Sequence, residues 1–303
     1  MTSLAPFVSV IITTYNRKEL VSRAAVSVLT QTYENIECIV VDDCSTDGTL
    51  DYLTQLSQQD QRIRIISHKE NRHLAAARNT GIYASLGEFV AFLDDDDMWL
   101  PQKLEKQIQL MESVQHNVGL VYCWFDTYSG DKVVGTRRPN LHGDIFDHLL
   151  LSQPLGNGST LLVRKQVFDH VGGFDESLSR GIDGDFIRRV AINYEIEYVP
   201  EVLVHYFVDH DGHPRITGND KQSILNGIHG HEVKLTKFLD ALLERPRHHA
   251  ALYALIGRNY ARLGKASEAY SNLMAAYRVR PYTLYVHAQT IMTIIDYLFR
   301  RIR

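Results

Sequence analysis

Two short stretches near the start of the chain, Val8–Thr14 and Glu37–Asp42, are apolar at odd and even positions alike. A β-strand sends alternate side chains to opposite faces, so a strand without a polar face must be covered on both sides. Helical crossovers provide such cover, and the intervening segments read as helices. Glu19–Gln31 places Leu20, Ala24, Ser27, Val28 and Gln31 on one face, Thr46 or Asp47 can cap a helix running to about Gln59, and Leu74–Ser85 follows. Arg62–Ser67, Phe89–Asp94 and Gly119–Phe125 supply further strands, and Pro101 suits the first turn of another helix. The alternation predicts an α/β fold with a mostly parallel sheet and helices on both faces. Ligands of such sheets bind beyond the carboxyl ends of the strands, where Tyr15, Asp42, Asp43 and Asp94–Asp97 fall.

At 303 residues the chain accommodates one large domain and a smaller one. Hydrophobic residues at 45% and charged residues at 22% are ordinary for a globular protein, and no apolar run reaches a bilayer-spanning length. The start, MTSLAPFVSV, lacks a basic segment followed by an apolar core, so it does not read as a secretory signal and a cytoplasmic location is expected. Cys38 and Cys123 lie in strand-like runs. With Cys44 they form a scattered, odd set that fits small buried hydrophobes in a reducing compartment better than a disulfide or a metal site.

The last third reads as helical from about Lys221. Tyr253, Ile256, Gly257, Tyr260, Gly264, Ala269, Leu273, Ala276 and Pro281 have the spacing of one tetratricopeptide-like hairpin, fewer units than a free-standing solenoid needs. The expected division is therefore a domain over 1–220 and a helical extension over 221–303. Net charge is −4, yet Lys234–Arg303 holds twelve Lys/Arg against four Asp/Glu. Ile291, Ile295, Leu298 and Ile302 form a stripe that ends among Arg300, Arg301 and Arg303. This layout fits either packing on the hairpin, an oligomer contact, or peripheral binding to an anionic inner membrane face.

The sharpest chemical feature is Phe92-Leu93-Asp94-Asp95-Asp96-Asp97. Four adjacent carboxylates repel one another and cannot be buried unpaired. A divalent cation relieves the repulsion, and oxygen ligands suit Mg²⁺ or Mn²⁺. The plain alternative is a solvated acidic turn leading into the next helix. A second feature, Val40-Val41-Asp42-Asp43-Cys44-Ser45-Thr46-Asp47-Gly48-Thr49, can hold a nucleobase imide and ribose hydroxyls, though Asp and Ser are also ordinary capping residues.

The segments VSVIITTYNRKE, IVVDDCSTDGT, ENRHLAAARNTGI, GEFVAFLDDDDMWLP and VGGFDE…GIDGDFIRRV occur in order over roughly 7–210. Together they resemble family 2 of the GT-A-fold glycosyltransferases, whose domain is Rossmann-like. The resemblance implies that Thr14 and Tyr15 flank the base of a nucleotide-sugar donor, with Asp43 hydrogen-bonding it and Asp42 in support. Arg78 and Asn79 would lie near the sugar and diphosphate, and Asp94, beside Asp95, would point to the ribose. Asp96 would bind the metal, with His210 as a further contact. Asp183 matches the catalytic base, with Asp185 next to it. Two positions depart from the family pattern: His73 stands where glycine is common, and Ile182 where glutamate usually precedes the base. The Gln-x-x-Arg-Trp element of processive synthases is absent, which implies single addition.

The expected reaction is inverting, metal-dependent transfer from a nucleotide sugar, UDP-linked by resemblance, to a hydroxyl acceptor in cell-surface polysaccharide or glycolipid synthesis. Two other classes compete. A nucleotidyltransferase would want a glycine-rich phosphate loop after the first strand, where Thr13-Thr14-Tyr15-Asn16 has no glycine. A non-catalytic sugar-nucleotide-binding scaffold would retain the carboxylates for binding alone.

Overall fold

The computed structural model describes residues 5–209, 220–281 and 287–293. Its elements run β1 (Val8–Thr14), α1 (Lys18–Leu29), β2 (Ile36–Asp42), α2 (Thr49–Gln59), β3 (Ile63–Ser67), α3 (His73–Ala84) and β4 (Phe89–Asp94). They continue with β5 (Met98–Trp99), α4 (Lys103–Ser113), β6 (Val118–Ser129), β7 (Lys132–Arg137), α5 (Phe146–Leu149), a 3₁₀ turn (Gly158–Thr160) and β8 (Leu162–Arg164). Then follow α6 (Gln166–Val171), α7 (Ile182–Asn193), β9 (Glu195–Phe207), α8 (Lys221–Lys237), α9 (Leu239–Leu243), α10 (Pro246–Arg262) and α11 (Ala266–Val279). Two compact units result. The larger takes Met1–Leu149, Gln153–Glu176 and Ile182–Pro214, and the smaller takes Leu150–Ser152, Ser177–Gly181 and Arg215–Arg303.

In the larger unit the strand order is β3-β2-β1-β4-β8-β6-β9-β5, with β7 beside β6. The first four strands are parallel, as their two apolar faces require. Val8, Val10, Ile12, Ala91 and Leu93 join the core with Val21, Val28, Leu104 and Met111 of α1 and α4. On the opposite face Ile39 and Val41 pack with Ala77 of α3, and Phe92 meets Phe174 edge-on at 5.2 Å. Beyond β4 the sheet is mixed: β8 runs antiparallel to β4 and β6, β5 antiparallel to β9, and only β6 and β9 are parallel. The reversal lay beyond sequence periodicity because β8 has three residues and β5 has two.

Other expectations shift by small steps. The helix after β2 is capped not by Thr46 or Asp47 but by Gly48, in the left-handed conformation. Asp47 acts from one position further out, accepting the Thr49 N–H at 3.0 Å. Cys38 and Cys123 are buried free thiols, as expected, whereas Cys44 is half-buried in a loop.

Register sets the position of the site. Thr14 pairs with Asp42 and Thr13 with Asp94, so the carboxyl ends of β1, β2 and β4 finish level. Asp42, Asp43 and the acidic run therefore emerge along one rim.

Within the smaller unit α10 and α11 form a hairpin around Ala250, Ala254, Leu273 and Ala276. A Cβ on Gly257 would lie 3.0 Å from Ala269 O and 3.3 Å from Leu273, so the small residue is what permits the close approach. Ile224 and Ile228 of α8 pack with Ile256. The arginine-rich end of the apolar stripe lies outside the described residues. Among those described, no helix is long and apolar enough to cross a membrane.

One buried charge beneath the sheet is costly. Lys103 is fully buried, its Nζ 2.7 Å from Gln107 Oε1 and 3.8 Å from the Trp99 ring centre. Burial pushes its ammonium down from 10.5 to about 8. Between those values the unfolded chain binds the proton more tightly, so stability rises with pH across the window. Measured against Lys103→Met by chemical denaturation, the wild type is expected to gain about 3 kcal/mol between pH 8 and pH 10.5. A flat difference would contradict this assignment of the buried charge.

Candidate active site

The acidic run does not stay together as one exposed patch. Its four carboxylates are met by two arginines and by polar side chains from other elements. Asp94 accepts from Arg78 Nη2 at 2.6 Å and from Asn157 Nδ2 at 3.1 Å. Asp95, nearly buried, accepts from Thr14 Oγ1 at 2.8 Å and Arg17 Nη1 at 3.0 Å. The same Arg17 nitrogen reaches Asp96 at 3.0 Å. Asp97 has no exposure, and its Oδ2 accepts from Asn157 at 2.7 Å and Ser159 at 2.6 Å. Burial lifts the Asp95 carboxyl to about 7 against the pull of Arg17. Burial and the neighbouring Asp96 and Asp94 charges lift Asp97 well above the usual carboxylate range.

One ligand oxygen from each of Asp94, Asp96 and Asp97 falls within a 4.8 Å cluster. Asp97 Oδ1 and Asn157 Oδ1 are buried and have no hydrogen-bond partner. Both are acceptors, so what this corner lacks is positive charge or a donor. Hard oxygen ligands around that deficit fit Mg²⁺ or Mn²⁺. Asp97 was not among the metal residues expected from the sequence, and its own partners are supplied from some sixty positions away. His210 lies outside the described residues.

Arg78 links the cluster to the expected base. Its guanidinium is 2% exposed and bridges Asp94 and Asp183, the latter at 2.5 Å. The Phe174 ring centre lies 5.0 Å from it. Burial opposes its charge, but the Asp183 and Asp94 carboxylates raise its affinity for the proton further. The Asp183 carboxyl is itself pushed up by burial, with Arg78 opposing and Asp94 reinforcing. A raised carboxylate is a better proton acceptor than a free one.

The structure separates the two candidates on α7. Asp185 pairs with Arg189 at 2.9 Å, and Arg189 in turn donates to the carbonyls of Val171, Gly172 and Gly173. That pair fastens the turn before Phe174. Asp183 alone contacts the residue that holds Asp94.

Asn79, expected near the sugar, is committed elsewhere. It donates to Phe174 O at 2.9 Å and Glu176 Oε1 at 2.8 Å, and accepts the Phe174 N–H at 2.7 Å. It fixes the segment whose ring covers Arg78. Asp42, fully buried, accepts from the Ser45 N–H at 3.3 Å and from Ser67 at 3.2 Å. Asp43 meets His68 Nδ1 at 2.6 Å and the N–H groups of Arg72 and His73 at 2.9 and 2.7 Å. A carboxylate offers about four acceptor positions, which leaves room for one more donor. Tyr15 stands 45% exposed at the rim. His73 has φ 66°, a left-handed conformation that glycine adopts more freely than histidine.

Fold and site define a class: a parallel half sheet, a mixed second half and a carboxylate cluster at the end of β4, the arrangement of GT-A glycosyltransferases. A model of the family "Glycosyl transferase family 2" matches residues 9–172. An uncharacterized glycosyltransferase of Haemophilus influenzae is 31% identical over 231 residues, 73% of this chain and 69% of that one. The Escherichia coli enzyme described as UDP-Glc:alpha-D-GlcNAc-diphosphoundecaprenol beta-1,3-glucosyltransferase WfgD is 38% identical over 128 residues. That alignment covers 42% of this chain and 49% of the relative, about half its length. The crystal structure of a 1–349 fragment of S. aureus TarS with UDP-GlcNAc superposes with a TM-score of 0.70 at 18% identity, over 96% of this chain and 89% of that one. The chain belongs to glycosyl transferase family 2.

Arg78 has a testable structural cost attached to it. Removing one partner of a buried ionic group leaves uncompensated charge, worth about 3–5 kcal/mol. Arg78→Met is expected to lose stability of that order in urea denaturation at pH 7, and a midpoint within error of wild type would contradict the bridge.

Proposed function

We propose that this protein transfers a sugar from a UDP-linked nucleotide sugar to a hydroxyl acceptor, one residue per cycle, with inversion at the anomeric carbon. The observation that carries the reading is the Asp94–Arg78–Asp183 link, which couples a cation-type carboxylate cluster to a candidate proton acceptor through one buried guanidinium. Asp96, with Asp94 and Asp97, would hold Mn²⁺ or Mg²⁺. The bound ion would supply positive charge against the departing diphosphate.

The chain's own residues do the rest. Asp43, with its remaining acceptor position, and exposed Tyr15 suit the edge and face of the base, and Asp42 braces the loop beneath. Asp183 takes the acceptor's hydroxyl proton. Attack from the face opposite the leaving group gives direct displacement, and alignment of the two reactants supplies much of the acceleration. UDP as the nucleotide is supported by the UDP-GlcNAc complex of TarS and the UDP-Glc donor in the description of the E. coli relative. The diphosphoundecaprenol in that description supports a lipid-linked acceptor and a place in cell-surface polysaccharide or glycolipid synthesis. A scaffold that merely binds sugar nucleotides has no need to tie a further carboxylate to the cluster through a buried arginine, so the geometry favours catalysis.

Asp96→Ala is expected to lower turnover by orders of magnitude while the fold survives. Asp183→Asn, nearly isosteric but unable to take the proton, is expected to abolish turnover and spare donor affinity. Normal turnover in either variant, or retention of anomeric configuration by NMR, would sink the corresponding part of the proposal.

A further inference from the structure

Behind the carboxylates runs a three-residue turn, Asn157-Gly158-Ser159, to which the transfer chemistry gives no direct role. Its two polar side chains face the acidic run. Asn157 Nδ2 donates to Asp94 and Asp97, while Ser159 Oγ donates to Asp97 Oδ2 and accepts the Asp94 N–H at 3.1 Å. Its middle residue faces Arg78: a Cβ on Gly158 would lie 2.6 Å from Nη2. The Gly158 N–H also bonds the Asp183 carboxylate. Three acids and the arginine joining them thus touch one turn.

The far side of the turn is fastened by groups that are expensive to bury. Trp99 Nε1 donates to Ser159 O at 2.8 Å, and Gln107 Nε2 donates to Thr160 O at 2.9 Å. Gln107 is fully buried, and its Oε1 is satisfied by the buried Lys103. Apolar side chains would fill this part of the core at lower desolvation cost. The polar groups are spent on the carbonyls of this turn.

We infer that the Asn157–Ser159 turn, held from behind by Trp99 and, through the adjoining Thr160 carbonyl, by Gln107, is the positioning element of the transfer site: it orients Asp97 and Asp94 for the cation and keeps Asp183 in register with them. The inference rests on the metal-dependent transfer proposed above. Because both donors of the turn bond the same oxygen of Asp97, the other oxygen, Oδ1, stays free for a ligand. Loss of either donor lets the carboxylate rotate. Partners that orient metal ligands typically carry tenfold effects or more on metal affinity.

The test uses the full chain with UDP present, titrated with Mn²⁺ and followed by the EPR signal of the free ion. Turnover and donor KM are measured alongside. Ser159→Ala and Gln107→Leu are expected to raise the Mn²⁺ dissociation constant about tenfold and to lower kcat, while donor KM changes less than twofold. Ser159→Thr, which keeps the hydroxyl, is expected to restore both. Circular dichroism identifies a variant that fails to fold, and Ser159→Ala, the smaller change, then decides. If wild type binds Mn²⁺ and folded Ser159→Ala binds it equally and turns over equally, the positioning role is wrong. If wild type binds no Mn²⁺, the metal-dependent reading falls, and this inference with it.

Discussion

Four consecutive carboxylates at the end of a buried strand repel one another, and much of the larger unit is arranged around that repulsion. The four carboxylates are answered from three parts of the chain: Asp94 by Arg78 of α3, Asp95 and Asp96 by Arg17 before α1, and Asp97 by the turn before β8. The two arginines come from elements that the parallel half of the sheet brings to one rim, where β1, β2 and β4 end in register, and the turn is brought there by β8 pairing antiparallel to β4. Compensation is incomplete, however. Asp97 Oδ1 is buried with no partner, and burial raises both Asp95 and Asp97. A cluster short of positive charge at the carboxyl ends of the strands fits the cation site proposed above.

The same logic ties binding to chemistry. Arg78 cannot be removed from Asp94 without also releasing Asp183, since one buried guanidinium serves both. The rings of Phe92 and Phe174 surround it, and Asn79 fixes the Phe174 segment. Arg189, through Asp185, fastens the preceding turn. The carboxylate proposed as base and the acidic cluster are thereby joined through one packed guanidinium, which suits the oriented attack proposed above.

Much of this was legible in the sequence because it depends on local patterning. β1 and β4 fall at the residues expected from their doubly apolar runs, and other boundaries differ by one to a few positions. The acidic run, placed at a strand end, could be read as a cation site from charge repulsion alone. What escaped was set by distant contacts. Arg78 and Asp183 are 105 positions apart, and no spacing rule links them. Asn157 and Ser159 look like ordinary loop residues until β8 folds back beside β4. Asn79 and Asp185 sit next to reactive positions in sequence, yet their side chains serve the backbone around Phe174.

The central claim is that this rim cleaves nucleotide sugars with the help of a divalent cation. Its most direct test is the release of nucleoside diphosphate by the wild-type chain from a panel of nucleotide sugars, with Mn²⁺ and with excess chelator. UDP released from at least one UDP-sugar with Mn²⁺, and its suppression by chelator, is the predicted result. Undiminished release in chelator, or no UDP from any UDP-sugar, would contradict the account.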